Sequence, residues 1–456
     1  MLKLSKLTLS VVFSTALIGC ANLDDSYNNA QADFQQYQDL TQQYNIQENW
    51  WTLYRDPQLN RLVEQALANN KDLAKAAISV NMALYQANLV GADLVPNFSG
   101  STNSSARKNI TDGGNSTLSH TGALEVSYTV DLWRRLADAA SAAEWTHAAT
   151  QQDMEATRIS LINAVVTTYY QLAYLNDAIS VTNQTIDYYS QINRIMQNKL
   201  NQGVADSAST DQAQQAVLTA RNMLISYQTQ KKTTESTLRN LLNLKPSDAL
   251  NVNYPHILNV KNVGVNLNVP LSTIANRPDL KGYQYRLNSA FKDAKAMQKS
   301  WFPSITLGGS LSSSGTHVNN AFETGFAAGT VAISLPFLSW NTVKWNVKIS
   351  EAQYETALVN FEQGITTALN DVDKNYFAYT QSRENLTNLQ QTYNYNQRIT
   401  QYYKNRYDAG LSELKDWLTA ANTEKNSQLS ILNAKYSVIQ NENAVYSSMG
   451  GYYSGR

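Results

Sequence analysis

Residues 69–73, NNKDL, return 207 positions later as residues 276–280, NRPDL. The same offset carries Pro96 in LVPNFSGS onto Pro303 in WFPSITLG, and Trp133 in YTVDLW onto Trp340 in LPFLSW. It also carries Tyr170 in TTYYQLAY onto Phe377 in KNYFAY, and Gly203 in NQGV onto Gly410 in DAGL. Chance does not place five matches at one spacing, so the chain is built from two copies of one structural unit. Each copy reads as helix, strand, strand, very long helix, turn and helix.

In the first copy the pattern predicts a helix over about residues 58–94, ending before Pro96 because the residue ahead of a proline is pushed out of the helical region. Strands follow at about 97–108 and 121–132. In the second strand Leu124, Val126, Tyr128, Val130 and Leu132 alternate with small or polar residues, and the second copy repeats this with Val331, Ile333, Leu335 and Phe337. Period-two alternation gives one apolar and one polar face. Such strands fit either a half-buried soluble sheet or a membrane barrel, whose signal per segment is weak.

Residues 134–202 contain no Gly and no Pro. A helix of that extent is roughly 100 Å long at ~1.5 Å per residue, more than a compact domain accommodates. Along it Leu172, Leu175, Ile179, Thr182, Ile186, Tyr189, Asn193, Met196 and Leu200 recur in steps of three and four, which is coiled-coil spacing. Leu386, Leu389, Tyr393, Tyr403 and Tyr407 are the corresponding seam of the second copy. Both seams contain polar members, which suits a helix in the wall of a tube, with neighbours on two sides and solvent on the others. A fibrous coiled coil without a pore is the alternative. The long helices end at NQGVADSAS and YDAGLSELKD, where Gly203 and Gly410 suit a left-handed position after the helix. Ser207 or Ser209, and Ser412, are the expected caps of the returning helices.

Composition narrows the function classes. Lys+Arg and Asp+Glu are equal at 36 each, so no net field favours nucleic acid. Only 16% of residues are charged, and 27 are Tyr. After the N-terminal stretch the nearest thing to a membrane-spanning helix is residues 161–175, and Asn163, Thr167, Thr168 and Gln171 interrupt it. A membrane crossing must then be made of strands in a closed barrel. Ser289 with Lys292 and Ser412 with Lys415 spell S-x-x-K, but without the partner motifs of acyl-transfer enzymes. The histidines, at 120, 147, 256 and 317, are scattered, and no phosphate loop or zinc spacing occurs. No enzyme chemistry, metal site or cofactor is expected.

The N-terminus has Lys3 and Lys6 ahead of a short apolar run that ends at Gly19, the pattern of a secretory signal. Cys20 is the only cysteine, so it forms no internal disulfide. Leu17-Ile18-Gly19-Cys20 resembles the bacterial lipobox. That resemblance implies cleavage before Cys20, an S-diacylglycerol and an N-palmitoyl chain on it, and, with Ala21 rather than Asp following, delivery to the outer membrane.

Together the lipobox, WWTLYRDPQLNRLVEQALANNKDL, NRPDL, WFPSI, the two glycine tips and GLSELKDWLTA resemble the TolC-type outer-membrane efflux protein family, in its lipidated OprM/CusC-like branch. The resemblance covers essentially the whole mature chain and rests on the order and spacing of the motifs. It implies a trimeric fold in which each protomer gives four strands to a shared twelve-stranded β-barrel and long coiled-coil helices to a periplasmic α-barrel. The expected division is 1–19 signal peptide, 20–57 N-terminal belt segment, 58–244 first repeat, 245–273 equatorial linker, 274–445 second repeat and 446–456 tail. Residues 21–58, 245–273 and the C-terminal end would form a belt around the tube. The family's tip motif, Gly, five residues, then Asp-x-Leu-x-Ala, falls on Gly410, Asp416, Leu418 and Ala420, with Thr419 where many relatives have a second carboxylate. Asp416 is thereby a candidate gate residue, with a solvated helix-surface Asp as the plain alternative; Asp211 near the other tip is out of register. Gly203, Gly410 and Ser412 mark the tips that would meet a periplasmic adaptor. The implied function is passive: the outer-membrane exit duct of a tripartite drug or metal efflux system of a Gram-negative bacterium, joined through the adaptor to an inner-membrane pump of the RND type. An exit duct for type I protein secretion and a non-pore structural lipoprotein are the alternatives.

Overall fold

The computed structural model describes residues 23–111, 113, 115–266, 268–320 and 325–455. The signal segment and Cys20 lie outside the described residues. The elements run α1 (Leu23–Thr41), β1 (Tyr44–Gln47), α2 (Pro57–Asn69), α3 (Lys71–Gly91), β2 (Asn97–Arg107), β3 (Thr117–Val130), α4 (Arg135–Asn201) and α5 (Ser207–Leu241). They continue with α6 (Pro278–Gln298), β4 (Ser304–Gly315), β5 (Gly325–Ser334), α7 (Trp340–Asp408), α8 (Leu414–Met449) and β6 (Tyr452–Gly455). The predicted order therefore recurs twice, and α4 and α7 are 67 and 69 residues long. The described residues pack as two compact units, one taking 23–39, Ala83–Ala148 and Tyr283–Gln363, the other Leu40–Met82, Ala149–Gly282 and 364–455.

The first unit carries an antiparallel sheet in the order β2-β3-β4-β5. Its register places Phe98 opposite Val126, Leu124 opposite Leu311, and Leu307 opposite Val331. Paired residues share a face, so these side chains line one side. The other side carries Ser99, Ser101, Asn103, Ser127, Ser310, Ser312 and Thr330. Phe98, Leu124, Leu311 and Val331 are 77, 64, 60 and 68% exposed, so no second layer covers the apolar face among the described residues. β2 pairs only with β3 and β5 only with β4, which leaves two open edges. A half-buried soluble sheet would have that apolar face covered.

Both apolar strands stop earlier than the alternation predicts. β3 ends at Val130 because Asp131 turns to cap α4, accepting from Leu136 N at 3.0 Å and Ala137 N at 2.8 Å. Leu132 thus falls in the turn. In the second copy Pro336 has no N–H for the ladder, and Leu335 and Phe337 leave the strand for a short 3-10 turn. The sheet is pinned to the helix start by Trp133, whose indole donates to Pro303 O at 2.9 Å and stacks on Phe302 at 4.7 Å. Residues 23–39 pack here too, with Tyr27 stacked on Phe291 at 4.1 Å and Phe34 edge-on to Phe361 at 5.3 Å. Leu23, Ala30 and Phe34 are buried here, and Ser26 Oγ lies 2.8 Å from Tyr354 OH of α7.

In the second unit the helix predicted over 58–94 is broken at Asn70. Its backbone is extended (φ −63°, ψ 130°), and its side-chain oxygen accepts from Asp72 N and Leu73 N, starting a new helix. Along α4 the buried stripe is Leu172, Leu175, Ala178, Thr182, Thr185, Tyr189, Ile192 and Met196. Five of these match the predicted seam. At the other three positions the seam slips by one residue, from Ile179, Ile186 and Asn193 to Ala178, Thr185 and Ile192. Ala178 and Thr185 are buried small side chains, and the Thr185 hydroxyl is satisfied by Val181 O of its own helix at 2.8 Å. The corresponding α7 residues Leu386, Leu389, Tyr393, Tyr403 and Tyr407 are half-buried.

Residues 44–54 and the segment around 256–264 pack in this unit. β1 pairs with β6. Trp50 donates to Asn443 Oδ1 at 2.7 Å, and Tyr54 OH donates to Glu442 Oε2 at 3.0 Å. From the linker, Gly264 N and Val263 N donate to the same carboxylate at 2.6 and 3.3 Å. Asp177 of α4 holds the linker upstream, accepting from Ile257 N at 2.7 Å with His256 Nδ1 also 2.7 Å away. Glu442 is fully buried. Burial raises its carboxyl above the ordinary 4.5, against the opposing pull of the Gly264 N–H, Tyr54 OH, Val263 N–H and Lys435.

Candidate functional site

The two helical hairpins turn through the same backbone. Gly203 and Gly410 have φ of +72° and +73°. Val204 N donates to Lys199 O at 2.9 Å and Gly203 N to Leu200 O at 2.9 Å; Leu411 N donates to Arg406 O at 2.8 Å and Gly410 N to Tyr407 O at 3.0 Å. This double bond pattern is a Schellman C-cap. A Cβ at either glycine would meet nothing within 4 Å, so the left-handed φ alone calls for glycine. Val204 and Leu411, the next residues, are exposed.

The caps differ from expectation. Asp206 caps α5, accepting from Ser209 N at 2.8 Å, and the hydrogen bonds from Ser209 hold its carboxyl below the usual range. Ser207 is already helical, so neither serine is the cap. Glu413 occupies the equivalent position before α8 and makes no side-chain capping bond. Ser412 stands one residue too early to cap, and its buried Oγ has no hydrogen-bond partner.

Below the turns the four helix ends form a small core. Tyr189, Ile192 and Met196 of α4 meet Ala213, Val217 and Ala220 of α5 and Leu414, Trp417, Leu418 and Ala421 of α8, with Tyr403 and Tyr407 of α7 against them. Leu418 and Ala420 of the tip motif are buried, and Asp416 is exposed. The motif thus anchors two side chains inward and presents a carboxylate in the first turn of α8, where the helix N-terminus favours negative charge. Tyr402, Tyr403, Arg406, Leu411, Ser412 and Glu413 surround Asp416 in a shallow polar concavity. Arg406 donates to Leu411 O at 2.9 Å and braces the turn. Asp211 corresponds to buried Leu418 rather than to Asp416, whose counterpart in the first tip is Ser209.

At the tips one further residue matters that no motif marks. Lys199 Nζ donates to Tyr407 OH at 2.9 Å and lies 4.6 Å from that ring's centroid, while Tyr407 packs on Trp417 at 5.4 Å. Lys199 ties the first hairpin to the second, and its place in the last turn of α4 was the only signal. The enzyme-like motif at Ser289 dissolves into packing: its hydroxyl donates to Ala142 O at 2.9 Å, and Lys292 lies 3.7 Å from Asp138.

The model of the outer membrane efflux protein family matches residues 62–244 and again 269–451, two segments related by the same 207-residue offset. Over 454 residues the chain is 69% identical to the toxin and drug export protein A of Aggregatibacter actinomycetemcomitans, covering 100% of this chain and 99% of that one. It is 27% identical to the probable outer membrane lipoprotein SilC of Salmonella typhimurium, covering 99% of each chain. Its fold matches the crystal structure of the outer membrane protein VceC from Vibrio cholerae with a TM-score of 0.81, at 20% identity, over 90% of this chain and 100% of that one. With both halves matched in order, the chain belongs to the outer membrane efflux protein family.

Proposed function

We propose that three copies of this chain close a twelve-stranded barrel in the outer membrane and continue it as a helical tube. That assembly is the passive exit duct of a tripartite efflux system. The observation that carries this reading is the sheet with an uncovered apolar face and two unpaired edges. Open edges are not tolerated in hydrocarbon, and four strands are too few to close, so edges of neighbouring copies must pair. The apolar face then meets lipid and the Ser/Thr/Asn face lines the lumen.

Cys20 carries the diacylglycerol and palmitoyl chains that fasten the N-terminus to the membrane, a reading supported by the lipoprotein relative. The exposed Val204 and Leu411 beside Gly203, Gly410 and Ser412 offer the adaptor an apolar contact at each tip, and an RND-type inner-membrane pump supplies the energy. Asp416, exposed near the second tip, supplies three carboxylates to the periplasmic constriction. Drugs are the substrate class, on the strength of the 69% identical export protein. The same relative's link to toxin export favours a second reading, an exit duct for secreted protein, which the identity of the co-purified inner-membrane transporter separates from the first. The direct test of the duct is planar-bilayer recording of the purified protein. Discrete conductance steps are expected, and an assembled trimer that carries no current would refute it.

A further inference from the structure

The polar face of the sheet is nearly free of charge. Among the described strand residues it bears one carboxylate, Glu125, and one guanidinium, Arg107. Glu125 lies opposite Ser99 on one side and Ser310 on the other, five residues before the end of β3 from which α4 departs. Arg107 stands at the far end of β2, eight residues beyond Ser99, roughly 27 Å along the strand. Glu125 is exposed and has hydroxyl rather than cationic cross-strand neighbours.

We propose that Glu125 sets the ion preference of the barrel section of the duct. The inference rests on the three-copy barrel. Twelve strands about 4.8 Å apart and tilted by about 40° give a wall roughly 12 Å from the axis. Three Glu125 side chains reach inward from that wall, and their carboxylates come within the ~10 Å Debye length that holds at 0.1 M salt. Three charges at about that distance, screened by one Debye length, enrich monovalent cations on the axis roughly twofold and deplete anions as much. At 1 M the Debye length falls to ~3 Å and the preference disappears. The Arg107 ring is about two Debye lengths away at 0.1 M, so it does not cancel the effect.

The test is the reversal potential of single channels in a salt gradient centred on 0.1 M, recorded in an Asp416→Asn background so that the tip carboxylates are silent. The parent channel should prefer cations, Glu125→Gln should lose roughly fourfold of the cation-to-anion permeability ratio, and Glu125→Lys should reverse the preference. All three should coincide at 1 M. Conducting channels whose selectivity moves with neither variant overturn the inference and leave the duct standing. A parent protein without conductance overturns the duct and the inference with it.

Discussion

Glu442 holds Tyr54, Val263 and Gly264 against α8, and removing it should loosen those segments selectively. Glu442→Ala deletes the acceptor of three groups: Tyr54 OH, Val263 N and Gly264 N. Each buried donor left without a partner costs about 1–3 kcal/mol. Lys435, whose pKa burial lowers, also loses a nearby carboxylate and keeps Asn262 Oδ1 at 2.6 Å. Against this, burying a carboxyl is itself unfavourable, so the net loss should be about 3–5 kcal/mol, the scale of breaking one side of a buried charged contact. Glu442→Gln keeps the shape and one acceptor oxygen but turns an amide donor toward donors, and should cost about 1–2 kcal/mol. The assay is thermal unfolding of the detergent-solubilised protein combined with amide hydrogen exchange. Protection should fall across residues 257–265 and 44–54 and hold at the tips, because the tip core contains none of these residues. The pH dependence has a definite sign. The folded carboxyl has a raised pKa, so its contribution to stability is fully present below 4.5 and is lost as pH rises through the folded value. The Gln variant should lack that slope. An Ala variant with unchanged melting and unchanged exchange over 257–265 would show that the carboxylate holds nothing.

Three further outcomes are expected. Cys20→Ser should abolish palmitate labelling while the strands still insert; persistent label in the mutant would place the acyl chains elsewhere. Asp416→Ala should raise single-channel conductance or open fraction and weaken cation selectivity, with stability changed by less than about 0.5 kcal/mol, as for an exposed side chain; identical reversal potentials would return Asp416 to an ordinary surface role. Gly410→Ala should destabilise the second tip by about 1 kcal/mol through its positive φ alone, visible as faster exchange at residues 406–416, and equal protection would contradict the backbone argument.

Much of the fold could be read from the chain because duplication does not depend on packing. The 207-residue offset paired the strands, the long helices and the tip glycines, and the family matches fall on the same offset. The break at Asn70 was legible in the second copy, where Pro278 at the first helical position marks a start that maps back to Lys71. Strand ends were harder, since Asp131 and Pro336 override an apolar alternation that continues past them. The tip turns followed from glycine, but the caps fell one residue from the serines, on Asp206 and Glu413, where side-chain length rather than residue class decides the bond. Glu442, Asn443 and Lys199 could not be found in the sequence. They read as polar positions on helices, and their partners lie 178 to 393 residues away in the chain.

Whether neighbouring copies pair along β2 and β5 can be read from edge-to-edge crosslinking. With Cys20 replaced by Ser the chain is free of thiols. Ser101→Cys on β2 can then be combined in turn with Ala328→Cys, Thr330→Cys and Ala332→Cys on the same polar face of β5. Directly opposed strand residues stand about 4.5–5.5 Å apart, within disulfide reach. One of these pairs should oxidise in membranes to a covalent trimer that goes no further, because the third bond closes the ring. Monomer alone from every pair, or a ladder continuing past three, would contradict it.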